Sequence, residues 1–242
     1  MKEESAEKAA AEAPDAAVEV PPEKVEGGPG PHEKLNDAGG VVEKYTLDAN
    51  KQFEGPHETF NDEGQLLVQT TFKEGVLDGP AKVLDDDGNP VQTLNYVKGK
   101  IDGPFNVYKG DALFVKLTYA EGKKSGPMYM YYPTGDLMLK QHYEDGKLHG
   151  LYTYIHMDTE IVGKEVNYVK GKMEGECKEY YPTGKLMRLS NYVNGKLEGD
   201  QVMYEPNGED ELSIKEFKAG KLVKDEEDKD KDKDKDKDKD EE

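Results

Sequence analysis

Between about residue 30 and residue 224 the chain alternates short runs of strand-forming residues with clusters of turn-forming ones, and the alternation keeps a fixed period. The stretch Gly171 to Gly199 shows one period in full. Glu176 to Tyr181 is a short run ending in two tyrosines, and Pro182-Thr183-Gly184-Lys185 follows with turn chemistry. Leu186 to Val193 is the return run, and Asn194-Gly195 is a tight-hairpin signal. Two strands of about six residues and two short turns fill ~24 residues, so the spacing predicts one β-hairpin per period. No helix fits the same space.

Three columns hold this period. A glycine closing a G-K-L-x-G turn falls at Gly55, Gly79, Gly103, Gly126, Gly150, Gly175 and Gly199, in steps of 23 to 25. An aromatic residue falls at Phe72, Tyr96, Tyr119, Tyr143, Tyr168, Tyr192 and Phe217. A second glycine follows each aromatic by three residues, from Gly75 to Gly220. Residues 31–39 match residues 56–64 at six of nine positions, which adds a degenerate first copy and makes eight units. The repeat signature calls for an all-β fold: hairpins chained into an antiparallel meander, stabilised by sharing faces between neighbours. The predicted buried ladder is Tyr96, Tyr119, Tyr143, Tyr168 and Tyr192 with Leu77, Ile101, Leu148, Met173 and Leu197. A glycine at a fixed strand position lets a ring or another backbone approach closely.

The pattern G-K-[LMI]-x-G-x-x-x-x-Y-Y-x-x-G-x-L-x-x-x-x-x-Y, best matched by Gly122 to Tyr143 and Gly171 to Tyr192, resembles the MORN-repeat variant of bacterial repeat proteins. Some of those proteins are labelled as antitoxins of toxin–antitoxin systems. The resemblance covers about residues 30 to 224. It implies hairpins stacked into an elongated, curved antiparallel meander sheet that serves as a scaffold for other proteins and is sometimes linked to membranes. Pro90 and Ala112 replace the usual Leu after the mid-unit glycine, and residues 159–163 lack a glycine at that turn, so irregular units are expected there.

The flanks have another composition. Residues 1–29 hold Ala, Glu and Pro with almost no large apolar side chain and read as a disordered leader; residues 225–242 are a Lys-Asp alternation and read as a disordered tail. Neither a signal peptide nor a transmembrane helix is read. The chain reads as soluble, either cytoplasmic or, had an export signal been removed, in the bacterial envelope. Of the net charge of −19, the repeats keep −8, the leader −5 and the tail −6. An acidic body without a basic patch speaks against nucleic acid and anionic lipid.

Candidate chemistry is sparse. Cys177 is the single cysteine, which excludes an intramolecular disulfide and a cysteine-based zinc site. His142, His149 and His156 are spaced by seven, but they fall at different places in the hairpin and should not converge on a metal. No nucleophile elbow, phosphate loop or His-Glu-x-x-His occurs, so no enzyme, cofactor or metal is expected. The tyrosine pairs are more informative. Adjacent strand residues face opposite sides, so Tyr131-Tyr132 and Tyr180-Tyr181 should each put one ring in the packed face and one on the open face.

The expected function is therefore protein–protein interaction through an extended aromatic and acidic sheet surface, with Tyr131, Tyr132, Tyr180, Tyr181 and Tyr204 as candidate contact residues. An antitoxin against a cognate toxin is the reading that the resemblance adds. A tethered structural or envelope protein, oligomerising through sheet edges, is the other alternative. A hydrolase acting through two converging carboxylates is the least favoured class.

Overall fold

The structure, a computed structural model, describes residues 27–227. The expected leader and tail lie outside the described residues, apart from residues 27–29 and 225–227. Among the described residues all regular structure is β-strand, and every strand pairing is antiparallel. No helix in them is long and apolar enough to cross a membrane. The chain divides into two units, with described residues 27–147 in the first and 148–227 in the second.

In the first unit the hairpins are Gly30–Leu35 with Val41–Leu47, Gly55–Phe60 with Leu66–Lys73, and Gly79–Leu84 with Pro90–Val97. Gly103–Lys109 with Ala112–Ala120 and Gly126–Tyr131 with Leu137–Glu144 complete it. In the second unit Gly150–Ile155 pairs with Val162–Val169, Lys172–Tyr180 with Leu186–Val193, and Gly199–Tyr204 with Glu211–Lys218. A last strand, Lys221–Glu227, pairs back on Glu211–Lys218 and runs three residues beyond Lys224.

Each period holds more than the expected hairpin. Both central residues of the tight turn adopt positive φ, as at Asn194 (52°) and Gly195 (81°), the geometry that matches strand twist. The turn folds two residues back on the aromatic strand, so that Leu77 pairs with Phe72, Ile101 with Tyr96 and Leu197 with Tyr192. The following N–H, at Asp78, Asp102 or Glu198, donates to the carbonyl of Thr71, Asn95 or Asn191 at 2.9 Å. A positive-φ glycine then redirects the chain into the next long strand.

The period varies at the mid-unit turn and, in the first hairpin, also at the turn that follows it, where Asp48 N–H donates to Gln52 O and Leu47 bridges to Phe53. In the regular form Tyr181 N–H donates to Lys185 O and Gly184 N–H to Tyr181 O. The turns from His156 to Ile161 and from Glu205 to Asp210 span one residue more. In the unit containing Ala112 the strands close around Gly110-Asp111 alone. The irregularity expected at Ala112 and at residues 159–163 is found. That expected at Pro90 is not: Asp85 N–H reaches Asn89 O and Gly88 N–H reaches Asp85 O, as in the regular turns. Pro90 follows the turn and its missing N–H is not needed there.

The core of the first unit lies along one face, where Phe105, Val115, Leu117, Tyr119, Met128, Met130 and Leu139 are all at most 3% exposed. In the second unit Tyr152, Tyr154, Val166 and Cys177 are buried. The expected ladder is correct for Tyr96, Tyr119, Tyr143 and Leu77. It needs correction for Tyr168, Tyr192, Ile101, Leu148, Met173 and Leu197, which are half-buried. The second unit also differs in one column of the core face. The core position held by Val115 and Leu139 becomes Lys164, Arg188 and Ser213.

Candidate interaction face

Strand Gly126–Tyr131 shows how the two faces are divided. Met128 and Met130 are fully buried, and the residues between and after them, Tyr129 and Tyr131, are half-buried on the opposite side. Tyr131 stands opposite Leu137 across the hairpin. The same register position pairs Phe60 with Leu66, Leu84 with Pro90, and Tyr108 with Leu113. With Leu35 opposite Val41 in the first hairpin, all five hairpins of the first unit thus end in an apolar pair on the open face. In the second unit the pairs are Ile155 with Val162, Tyr180 with Leu186, and Tyr204 with Glu211.

Three of the five expected contact residues, Tyr131, Tyr180 and Tyr204, lie at this position on the open face and are half-buried. Tyr132 does not belong to it. Only 9% exposed, it continues the Met128 and Met130 side, where burial of the ring is favoured. Tyr181 continues the Cys177 and Glu179 side, and its hydroxyl donates to Tyr204 O at 2.8 Å, tying neighbouring hairpins together. Phe60, Leu84, Tyr108 and Leu113 were missed because their residue types differ from repeat to repeat. Aligning the repeats on the closing glycine would have exposed the shared position.

The mid-unit turns next to these pairs are acidic. Asp62, Glu63, Asp86, Asp87, Asp111 and Asp136 are exposed in the first unit. Asp85 is bound into its turn, accepting from the N–H groups of Asn89 and Asp87 at 2.8 and 3.1 Å. Those bonds, that from Asn89 first, hold its carboxyl below the usual range. Lys109 Nζ lies 3.6 Å from the centre of the Phe114 ring, a cation–π contact that takes the cation away from the row.

The core face carries its own polar chemistry. Glu179, buried, accepts from the Nε of Arg188, the chain's one arginine, at 3.1 Å and pairs with its Nη2. Burial alone would lower the guanidinium pKa, but the carboxylate beside it raises it. Gln141 donates to Tyr143 Oη at 2.9 Å, and burial pushes that phenol above its ordinary value. His57, 5% exposed, meets Glu43 Oε1 at 2.8 Å.

Of the three histidines spaced by seven, His142 is exposed, His149 is half-buried and His156 meets Tyr180 O at 2.9 Å. Among the described residues no group of three or more His, Cys, Asp or Glu is placed to hold a metal ion. Asp200 and Glu216 face each other across a strand pair, with Lys224 opposite Glu216 on its other side. The lysine offsets a like-charge pair that would otherwise be unfavourable.

No curated protein matches the sequence. A solved structure described as "Crystal Structure of TcdB2-TccC3-Cdc42" is similar at 12% identity over 81% of this chain, with a TM-score of 0.20. The chain spans 13% of that chain, and a likeness at this level carries no argument. The family model described as MORN repeat variant matches residues 53–74, 124–145 and 173–194. The chain therefore carries MORN-variant repeats, built as antiparallel hairpins with one packed face.

Proposed function

We propose that this is a non-catalytic repeat protein that binds another protein through the open faces of its hairpins. The observation that carries this reading is the apolar pair ending each hairpin of the first unit from Phe60–Leu66 to Tyr131–Leu137. The core lies on the opposite face, so packing within the hairpin does not require large apolar residues at these positions. Tyrosine at such a surface supplies a large, rigid contact area with a polar tip. The acidic turns beside the pairs favour a partner carrying positive charge.

The test is affinity capture with the full chain and with the Tyr131→Ser/Tyr180→Ser variant as bait. A stoichiometric protein held by the wild type and lost by the variant, at unchanged melting temperature, is the expected outcome. A partner retained equally by both baits would contradict the assignment. So would a variant that no longer folds, since it would place these rings in the core.

A further inference from the structure

We propose that the open face of the first unit takes a basic, proline-rich segment of another protein in the polyproline II conformation. The segment runs across the strands along Phe60, Leu84, Tyr108 and Tyr131. This rests on the reading of the open face given above and adds the chemical class of the partner.

The first support is spacing. Successive members of the column belong to successive hairpins and so lie two strands apart, about 9.4 to 9.8 Å. A polyproline II helix repeats every three residues, or about 9.3 Å, so one residue in three meets the column in step. An α-helix presenting one residue in seven advances about 10.5 Å and falls out of step by about 2 to 3 Å over the four positions. An extended strand repeats a face every ~6.6 Å and matches still less well.

Chemistry is the second support. Aromatic and aliphatic side chains in a row form the surface that proline rings pack against, and a polyproline II segment loses little conformational entropy on binding. Its carbonyls have no internal partners and accept hydrogen bonds, and tyrosine hydroxyls at Tyr108 and Tyr131 are donors of suitable reach. Charge orients the segment. Lys82, Lys116 and Lys140 stand on the open face along one side of the column, with Lys44 Nζ 5.8 Å from the centre of the Phe60 ring, and the row of turns along its other side exposes Asp62, Glu63, Asp86, Asp87, Asp111 and Asp136. Lysine or arginine between the prolines would face this row.

The test uses the full chain and a synthetic Pro-Pro-Lys repeat of about 15 residues carrying one tryptophan. The protein has no tryptophan, so the probe's fluorescence reports binding alone. Saturable binding is expected, weakened at least about tenfold by Tyr108→Ser/Tyr131→Ser and also weakened by Asp86→Asn/Asp87→Asn. A Pro-Pro-Glu repeat should not bind. Backbone NMR shifts of the wild type on titration should centre on the Phe60-to-Tyr131 column, which keeps the test valid if a variant does not fold. Binding indifferent to the tyrosines would be charge attraction only and would overturn the proposal. Preference for a Leu/Lys amphipathic helix over the proline probe would overturn it too, while leaving the open face as the interaction surface.

Discussion

A single hydrogen atom serves as the side chain of Gly163, and the space it leaves is filled by a ring. A Cβ there would stand 2.7 Å from Cδ1 and 2.9 Å from Cε1 of Tyr154. The constraint is room rather than backbone conformation, because Gly163 has no positive φ. Gly163→Ala should therefore destabilise the protein by about 1 to 3 kcal/mol in denaturant unfolding. Unchanged stability would mean that the Tyr154 ring is not held in place. The sequence marked this region as irregular because its turn lacks glycine, but that the nearby glycine accommodates a ring required the fold. Asp85 is a second residue-scale case. Its lowered carboxyl pKa contributes stability that is present above the unfolded value of about 3.9 and is lost as pH falls through the lower folded value. Asn occupies the equivalent turn position at Asn36 and Asn61, where Oδ1 accepts the same backbone N–H pattern. Asp85→Asn should keep the turn and flatten the acid limb of a melting-temperature series between pH 2 and pH 5, relative to wild type. An unaltered acid limb would show that this carboxylate does not contribute.

At the scale of the element, what makes a hairpin part of an array is a set of bonds between tight turns. The N–H of each second turn glycine donates to a carbonyl one repeat earlier, as from Gly75 to Phe53 at 2.9 Å and from Gly220 to Leu197 at 2.8 Å. A carboxylate at the x of G-K-L-x-G accepts the preceding turn N–H of the next repeat. Glu54 takes that of Glu74, Asp102 that of Glu121, Glu174 that of Asn194, and Glu198 that of Ala219, at 2.7 to 2.9 Å. Lysine stems lie along the same row. A Cβ on Gly195 would sit 3.5 Å from that of Lys172, and one on Gly220 3.6 Å from that of Lys196. The G-K dipeptide thus has a packing role, the stem of one repeat lying over the turn of the next. Glu198→Ala should cost about 0.5 to 1.5 kcal/mol in unfolding free energy, the net worth of one such bond. A loss within error of zero would show that water replaces the carboxylate without penalty. The period and turn chemistry were legible in the sequence. The acid at x was not, since its partner lies about 20 residues away and is identified only once neighbouring turns are known to abut.

Across the whole molecule, the two units also differ in the column that follows the closing glycine. Pro31, Pro56, Pro80, Pro104 and Pro127 occupy it in the first unit, and Leu151, Glu176 and Asp200 in the second. Proline is tolerated there because the neighbouring carbonyl is already served: Asp78 N–H bonds Thr71 O, so residue 80 need not donate to it. The strand Lys221–Glu227 bears on the self-assembly alternative. Among the described residues it pairs with Glu211–Lys218 alone, its register slips at Glu216/Phe217, and Lys221, Lys224 and Asp225 sit along it. A bulge and charges of this kind disfavour pairing of a strand with another copy. Fold class followed from the period because hairpin length and turn residues together leave few alternatives. The functional face followed only in part. Tyr131 and Tyr132 are chemically equivalent neighbours, and only the burial of Met128 and Met130 sets the phase that separates them.

That phase is where one face becomes core and the other becomes available for recognition, and equilibrium denaturation of two single variants at adjacent positions measures it directly. Met130→Ala should cost about 2 to 5 kcal/mol, as expected for truncating a fully buried side chain, and Tyr131→Ser less than about 1 kcal/mol. Equal losses at the two positions would contradict a one-sided core and remove the basis for assigning the open face to a partner.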